Sequence, residues 1–267
     1  MQNAIRFRDK LRSGHIGLGT VISFNDPAVT EALCRDLDFV WIDAEHSPMP
    51  IDMVQNHIIA ARASQAAALV RVAWNDPVLM KPVLDAGAGG IIVPLVRTVE
   101  DARRGVAGCK YPPAGVRGFG PRRPSEYGRV GGTDFVRSLD DSVLVILQLE
   151  HIDAANNIDE ILAVPGISSL VIGPNDLSGS MGLLGQPRHP DVLAAIDRII
   201  AAARRASIPV GMGGGSDPAQ VKDWIARGVN WVAMGADFLL MVQALDALTR
   251  DVRDYIARQG VGKAAAS

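Results

Sequence analysis

Two apolar runs in the stretch 145–182 each lead into a carboxylate. Val145–Leu149 stops at Glu150, and Ser169–Ile172 passes through Gly173, Pro174 and Asn175 to Asp176. Between them, 154–164 carries Ile158, Ile161 and Leu162 at helical spacing. A strand–helix–strand unit makes its two strands parallel, so both acids emerge at the same edge of one sheet. Neighbouring carboxylates open to solvent suit either acid/base work or a divalent cation. Either acid alone could instead cap a helix N-terminus.

Further polar groups close the other runs. Asp43, Glu45 and His46 follow the run at 38–43, Arg71 lies at the end of the run at 68–72, and Gln148 accompanies Glu150. His46 is a competent base near neutral pH if a carboxylate such as Asp43 orients it, and a plain loop residue otherwise. A charge inside Leu69-Val70-Arg71-Val72 is costly unless paired. Arg71 therefore meets an anion at the sheet edge or forms a buried ion pair with Asp43 or Glu45. Gly213-Gly214-Gly215-Ser216 reads as a phosphate loop or as a flexible turn into a helix capped by Asp217. An acid at that helix start argues against an anion there. No Walker or dinucleotide glycine pattern occurs in the required context. None of the five lysines (Lys10, Lys81, Lys110, Lys222, Lys263) ends an expected strand, so a Schiff-base route lacks its nucleophile. Cys and His show no zinc spacing, whereas two oxygen ligands with open positions suit Mg²⁺ or Mn²⁺.

The elements that must hold these groups alternate along the chain. Strands are expected at 16–22, 38–43, 68–72, 90–94, 144–150, 169–172, 208–212 and 231–234, with helices at about 27–36, 50–63, 76–86, 98–108, 154–163, 189–206, 217–227 and 238–258. Asp26-Pro27, Asp76-Pro77 and Asp217-Pro218 each place a capping residue before Pro at a first turn. Eight strand–helix pairs predict α/β architecture, a (β/α)8 barrel of one domain spanning 1–267, with an open doubly wound sheet as the alternative. In a barrel the polar strand ends share one mouth. Strands 1, 4, 7 and 8 end in Ser23, Pro94, Gly213 and Gly235, so the chemistry falls on one side of it. The connection from Cys109 to Asp141 is far longer than usual and rich in Gly, Pro and Arg, so it is read as a loop without regular structure.

With 267 residues, 48% hydrophobic and a net charge of −2, the chain can bury a large core, and nothing calls for nucleic acid or an anionic membrane. No run approaches a membrane span and the start lacks a signal-peptide core, so a soluble cytoplasmic protein is expected. Cys34 and Cys109 are expected to stay reduced, and 260–267 to form a flexible tail.

Taken in order, Trp41-Ile42-Asp43-Ala44-Glu45-His46, Val70-Arg71-Val72-Ala73-Trp74-Asn75-Asp76-Pro77, Tyr111-Pro112-Pro113-Ala114-Gly115-Val116-Arg117-Gly118, Gln148-Leu149-Glu150 and Gly173-Pro174-Asn175-Asp176-Leu177-Ser178 resemble the HpcH/HpaI aldolase family, the metal-dependent class II pyruvate aldolases. The resemblance spans most of the chain. It implies a divalent cation (Mg²⁺, Mn²⁺ or Co²⁺) held by Glu150 and Asp176, with Glu45 beside a water on that cation. It implies His46 as the base supported by Asp43, Arg71 on the oxygen of the developing enolate, and Gln148 in the same pocket. The backbone of Gly173, Pro174, Asn175 and Asp176 would take the substrate carboxylate. Asp85 matches an acid that approaches the histidine of a neighbouring subunit. Relatives are commonly hexamers built from dimers that exchange C-terminal helices. The implied substrates are a small 2-oxo acid and an aldehyde, joined or released as a 4-hydroxy-2-oxo acid. The chain departs from better-known members after Gly120, where Pro121–Tyr127 replaces a run of small residues. Arg122 and Arg123, taken to lie beside the mouth, would select an acidic or polyhydroxylated aldehyde or form a solvated loop. Rival readings are oxaloacetate decarboxylation or citryl-type cleavage through the same enolate, and a non-catalytic oxo-acid or metal-binding barrel.

Overall fold

A computed structural model describes residues 2–259. Its strands are β1 (Gly17–Ile22), β2 (Phe39–Asp43), β3 (Ala67–Arg71) and β4 (Gly90–Val93), followed by β5 (Leu144–Leu149), β6 (Ser169–Ile172), β7 (Val210–Gly213) and β8 (Trp231–Ala236). All pair in parallel, each with the next, and β8 returns to β1 through Gly17 opposite Trp231 and Leu18 opposite Val232. That closure decides for the barrel and against the open sheet. The helices are α1 (Gln2–Arg12), α2 (Pro27–Leu33), α3 (Ile51–Ala63), α4 (Pro77–Asp85), α5 (Val99–Cys109) and α6 (Thr133–Ser142). Then come α7 (Ile152–Asn156), α8 (Ile158–Leu162), α9 (Pro174–Ser180), α10 (Pro190–Arg205), α11 (Pro218–Arg227) and α12 (Asp237–Gln259). The expected tail at 260–267 lies outside the described residues.

Strand side chains alternate between the barrel interior and the helices. The interior cluster takes Phe39 and Trp41 from β2, Ala67 and Leu69 from β3, Leu144 and Ile146 from β5, and Trp231 and Ala233 from β8. Continuing the same alternation brings Asp43, Arg71, Gln148 and Glu150 to the top of that interior. Large rings fill the lower part because glycines face them: a Cβ on Gly19 or Gly211 would overlap the ring of Phe39 or Trp231. The indole of Trp231 donates to Ser169 Oγ at 2.9 Å. From below, α1 seals the barrel with Ala4, Phe7 and Leu11; the Phe7 ring lies 5.1 Å from Phe39 and 6.1 Å from Trp231. This helix was not among the sequence expectations, although Ala4, Phe7 and Leu11 carry the one-face spacing of a helix.

Three expectations need correction. The connection after Cys109 is not wholly irregular, because α6 occupies 133–142 and buries Leu139. The helix expected at 154–163 is two short ones, α7 and α8, meeting at Asn157. The arginine-rich segment is also not beside its own mouth. It links a helix to the next strand, and such connections lie at the N-terminal face of a barrel, opposite the site. Arg123 accordingly donates from its backbone to Asp85 O (3.3 Å) and from Nη1 to Ala86 O (2.9 Å), at the base of α4.

The last helix stands apart from the core. Of α12 only Asp237 is buried, while Phe238, Met241, Val242, Leu245, Leu248, Val252, Tyr255 and Ile256 are exposed along it. Among the described residues no helix is long and apolar enough to cross a membrane.

Candidate active site

Register sets the first half of the site. Asp43 and Arg71 close β2 and β3 directly opposite each other. Arg71 donates from Nε to Asp43 Oδ1 (3.0 Å) and from Nη2 to Oδ2 (2.7 Å), while Nη1 stands 3.0 Å from Glu45 Oε2. The guanidinium also lies over the Trp41 indole, 5.1 Å from its centroid. Of the two openings left by the sequence, the ion pair is the one present: Arg71, at the mouth, is paired with both Asp43 and Glu45. A guanidinium carries five N–H groups, so donors on Nη1 and Nη2 stay free for a substrate oxygen.

His46 is the most open member, its side chain 67% exposed. Its Nε2 lies 3.7 Å from Glu45 Oε2. Asp43 does not touch the imidazole; it accepts from the backbone N–H of Glu45 (3.0 Å) and of His46 (3.4 Å). The carboxylate that faces the ring is thus Glu45, while Asp43 shapes the turn and anchors Arg71.

The second half is built on β5 and β6. Gln148 and Glu150 are both buried, and Gln148 Nε2 donates to Glu150 Oε2. Glu150 Oε1 accepts the backbone N–H of Leu95 at 2.8 Å. Leu95, just past β4, holds a left-handed φ of 56°, a conformation unfavourable for a non-glycine residue. Glu150 is therefore not a helix cap; His151 caps α7. Asp176 lies in the first turn of α9 and is exposed, and the cap position there is Gly173, which has no side chain to offer the turn's N–H groups. A Cβ on Gly173 would stand 2.9 Å from Glu150 Oε2, so glycine is what lets β6 pass so close to β5. Pro174 opens α9 and the Asn175 carbonyl accepts from Ser178 Oγ (2.6 Å). At β7, Asp217 accepts from Ala219 N (2.9 Å), so the glycine run leads into an ordinary capped helix.

The electrostatics are lopsided. Asp43 and Glu45 pair with one guanidinium, the charge of Glu150 also acts on it, and Asp176 acts in turn on Glu150. Burial pushes the Glu45 carboxyl up to about 6 against the pull of Arg71, with Glu150 adding repulsion. Burial also raises Glu150; Gln148 and Leu95 oppose this by hydrogen bonding, and the charge of Asp176 adds to it. Gln148 Oε1 is a buried acceptor without a hydrogen-bond donor, while Glu45 Oε2 has only its ion pair with Arg71. Excess negative charge, oxygen-only donors and a spare acceptor fit a hard divalent cation. Among the described residues no group of three or more His, Cys, Asp or Glu could hold a metal ion, so Glu150 and Asp176 would leave positions for water or substrate oxygens.

Asp85 is not brought to this cluster. It ends α4 at the opposite face of the barrel, paired with Arg117 at 2.9 Å. Sequence reasoning missed two contributors. Leu95 acts through its main chain, which no side-chain type announces. Trp41 was visible only as an apolar residue two before Asp43, a spacing that puts it directly beneath the site.

The profile of the HpcH/HpaI aldolase/citrate lyase family matches residues 21–244. A 4-hydroxy-2-oxo-heptane-1,7-dioate aldolase from Salmonella paratyphi C is 35% identical, over 98% of this chain and 97% of that protein. The crystal structure of an HpcH/HpaI aldolase/citrate lyase family protein from Burkholderia cenocepacia J2315 superposes with a TM-score of 0.88 at 31% identity, covering 93% of this chain and 99% of that one. Citrate synthase SbnG superposes at 0.82 with 27% identity, covering 93% and 97%. Breadth of match, barrel topology and the clustering of Asp43, Glu45, Arg71, Gln148 and Glu150 agree, and the chain belongs to the HpcH/HpaI aldolase/citrate lyase family.

Proposed function

We propose that the protein is a class II aldolase that reversibly cleaves 4-hydroxy-2-oxo acids to pyruvate, or a close 2-oxo acid such as hydroxypyruvate, and an aldehyde. The carrying observation is Arg71 paired with both Asp43 and Glu45 at the mouth, with the buried Glu150 acting on the same guanidinium. Glu150 and Asp176 would hold a divalent cation, whose charge would acidify the methyl group of the 2-oxo acid. Arg71, oriented by Asp43, offers its remaining N–H groups to the keto oxygen as negative charge develops. The amide of Gln148 supports the same pocket. The free N–H groups at Asn175 and Asp176 receive the substrate carboxylate. His46 removes the methyl proton through an intervening water, with Glu45 stabilising the imidazolium. The resulting enolate attacks the aldehyde, and the reverse sequence cleaves the product.

The apolar face of α12 supports a homo-oligomer, since so long an exposed stripe is unusual on a monomer. A hexamer with exchanged C-terminal helices would cover it. In such an assembly Asp85, remote from its own mouth, would serve a neighbour's His46.

Exchange of pyruvate methyl protons with solvent, followed by NMR with and without Mg²⁺, Mn²⁺ or Co²⁺, tests enolate formation before the aldehyde is known. Cation-stimulated exchange is expected; its absence with every cation would overturn the reading and leave a binding barrel. The likeness to citrate synthase SbnG favours one second reading, in which the enolate is used on a substrate other than an aldehyde. Release of CO₂ from oxaloacetate, or turnover of a citryl-type substrate, without aldehyde consumption would mark it.

A further inference from the structure

Arg117 is among the largest fully buried side chains of the protein, 2% exposed. Its guanidinium lies over the Tyr111 ring, 4.4 Å from the centroid, and Nη2 donates to Asp85 Oδ1 at 2.9 Å. Nε and Nη1 are buried without a partner. A buried guanidinium is costly unless paired, and among the described residues Asp85 is its one carboxylate within salt-bridge reach. The connection after α5 is fastened around that pair: Arg117 N donates to Lys110 O (2.9 Å), Val116 N to Ala107 O (2.8 Å), and Arg123 N to Asp85 O (3.3 Å).

The two oxygens of Asp85 are treated differently. Oδ1 is tied inward to Arg117. Oδ2 accepts no hydrogen bond from a described residue, and a Cβ on Gly120 would come within 3.4 Å of it. Glycine at 120 therefore leaves that oxygen uncovered, on a side chain 22% exposed at the end of the barrel far from its own Arg71. An oxygen presented there is out of reach of its own active site and open to another molecule.

We infer that Arg117 is a positioning residue: it fixes Asp85 so that Oδ2 is presented to the active-site mouth of a second copy of the chain. This rests on the reading above in which Asp85 serves a neighbour's histidine. A merely structural Arg117 would fasten the connection to α4 and leave turnover untouched once folded.

The test is a double-mutant cycle on the full-length protein with Mg²⁺ or Mn²⁺, reading pyruvate proton exchange as kcat and KM. Asp85→Asn is expected to lower kcat about tenfold or more with little change in KM, the size of effect that misplacing a proton-handling group produces. Arg117→Lys should give a similar loss, and the double variant should be no worse than Asp85→Asn. If Asp85→Asn leaves kcat unchanged, the reading of Asp85 falls and the inference with it. If Asp85→Asn is impaired while Arg117→Lys is not, or the two losses multiply, that reading stands and the role of Arg117 is refuted. Should Arg117→Lys fail to fold, Gly120→Val decides. It covers Oδ2 without touching the ion pair, at a position whose φ permits a side chain; a several-fold loss of kcat is expected, and unchanged kcat overturns the proposal.

Discussion

Gly173→Ala is the sharpest probe of how Glu150 is held. The backbone at Gly173 has φ −98°, a value alanine adopts freely, so no conformational penalty enters. The added Cβ would stand 2.9 Å from Glu150 Oε2 and 3.0 Å from Glu150 Cβ. Van der Waals contact begins at about 3.5 Å, so the carboxylate must retreat by roughly 0.6 Å. Its hydrogen bonds from Leu95 N and Gln148 Nε2 stretch with it. Charged hydrogen bonds are each worth about 1.5–3 kcal/mol. Weakening two of them should cost about 1–2 kcal/mol and lower Tm by roughly 3–6 °C for a chain of this size. The functional effect should be larger in proportion, because sub-ångström errors in placement cost about 10- to 100-fold in rate. Metal titrations of pyruvate proton exchange, run beside thermal melts, separate the two. The expected result is a folded protein with weakened cation affinity and a 10- to 100-fold slower exchange. Gly131→Ala, where a Cβ meets nothing within 4 Å, should match the parent protein in both assays. If Gly173→Ala exchanged protons at the parental rate with unchanged metal dependence, Glu150 would not be the group that holds the cation.

Other consequences can be checked with the same preparations. Glu150→Gln or Asp176→Asn should abolish cation-dependent cleavage of a 4-hydroxy-2-oxo acid while leaving the circular dichroism spectrum intact; full activity in EDTA would sink the cation assignment. Glu45 should report on pH. Its folded value of about 6 lies above the ordinary 4.5, so the folded state binds the proton more tightly and ionisation of Glu45 costs stability above about pH 6. Glu45→Gln should therefore raise the Tm of the cation-free protein relative to the parent at pH 8, and the difference should shrink as pH falls through 6 towards 4.5; a pH-independent difference refutes it. Leu245→Asp with Leu248→Asp, both in the exposed stripe of α12, should yield a smaller species in sedimentation velocity. An unchanged sedimentation coefficient would show that this face is not a subunit contact.

Much of the site was legible in the sequence because a strand repeats every two residues and a parallel barrel gathers its strand ends. Arg71 in a β-branched run, and Asp43 and Gln148 each closing one, are marked by polarity where burial was expected. Register then placed Asp43 opposite Arg71. What escaped was of a different kind. The Arg122–Arg123 segment was assigned to the wrong end of the barrel on its composition, although following a helix and preceding a strand already fixes its face. The residues left open which carboxylate faces the imidazole and the resemblance named Asp43; the bidentate geometry of a guanidinium claims Asp43, and Glu45 faces the ring. α1 was overlooked because its apolar side chains seal the end of the barrel, outside the strand–helix alternation on which the reading was built.

The amide of Leu95 has a bearing on how this site can change over time. One of the two carboxylates proposed to hold the cation is oriented by a main-chain N–H, a group shared by every residue except proline. Replacement of position 95 by any residue but proline cannot delete that contact; only the torsion that aims it is then open to selection. Glycine and asparagine enter left-handed backbone at low cost, whereas β-branched residues resist it. Substitutions at 95 would thus act through the direction of an amide, tuning the pose of Glu150 while every chemically active side chain stays the same. Any variation in activity between chains with identical acids, arginine and histidine would have one physical source here, in a backbone angle just past the fourth strand.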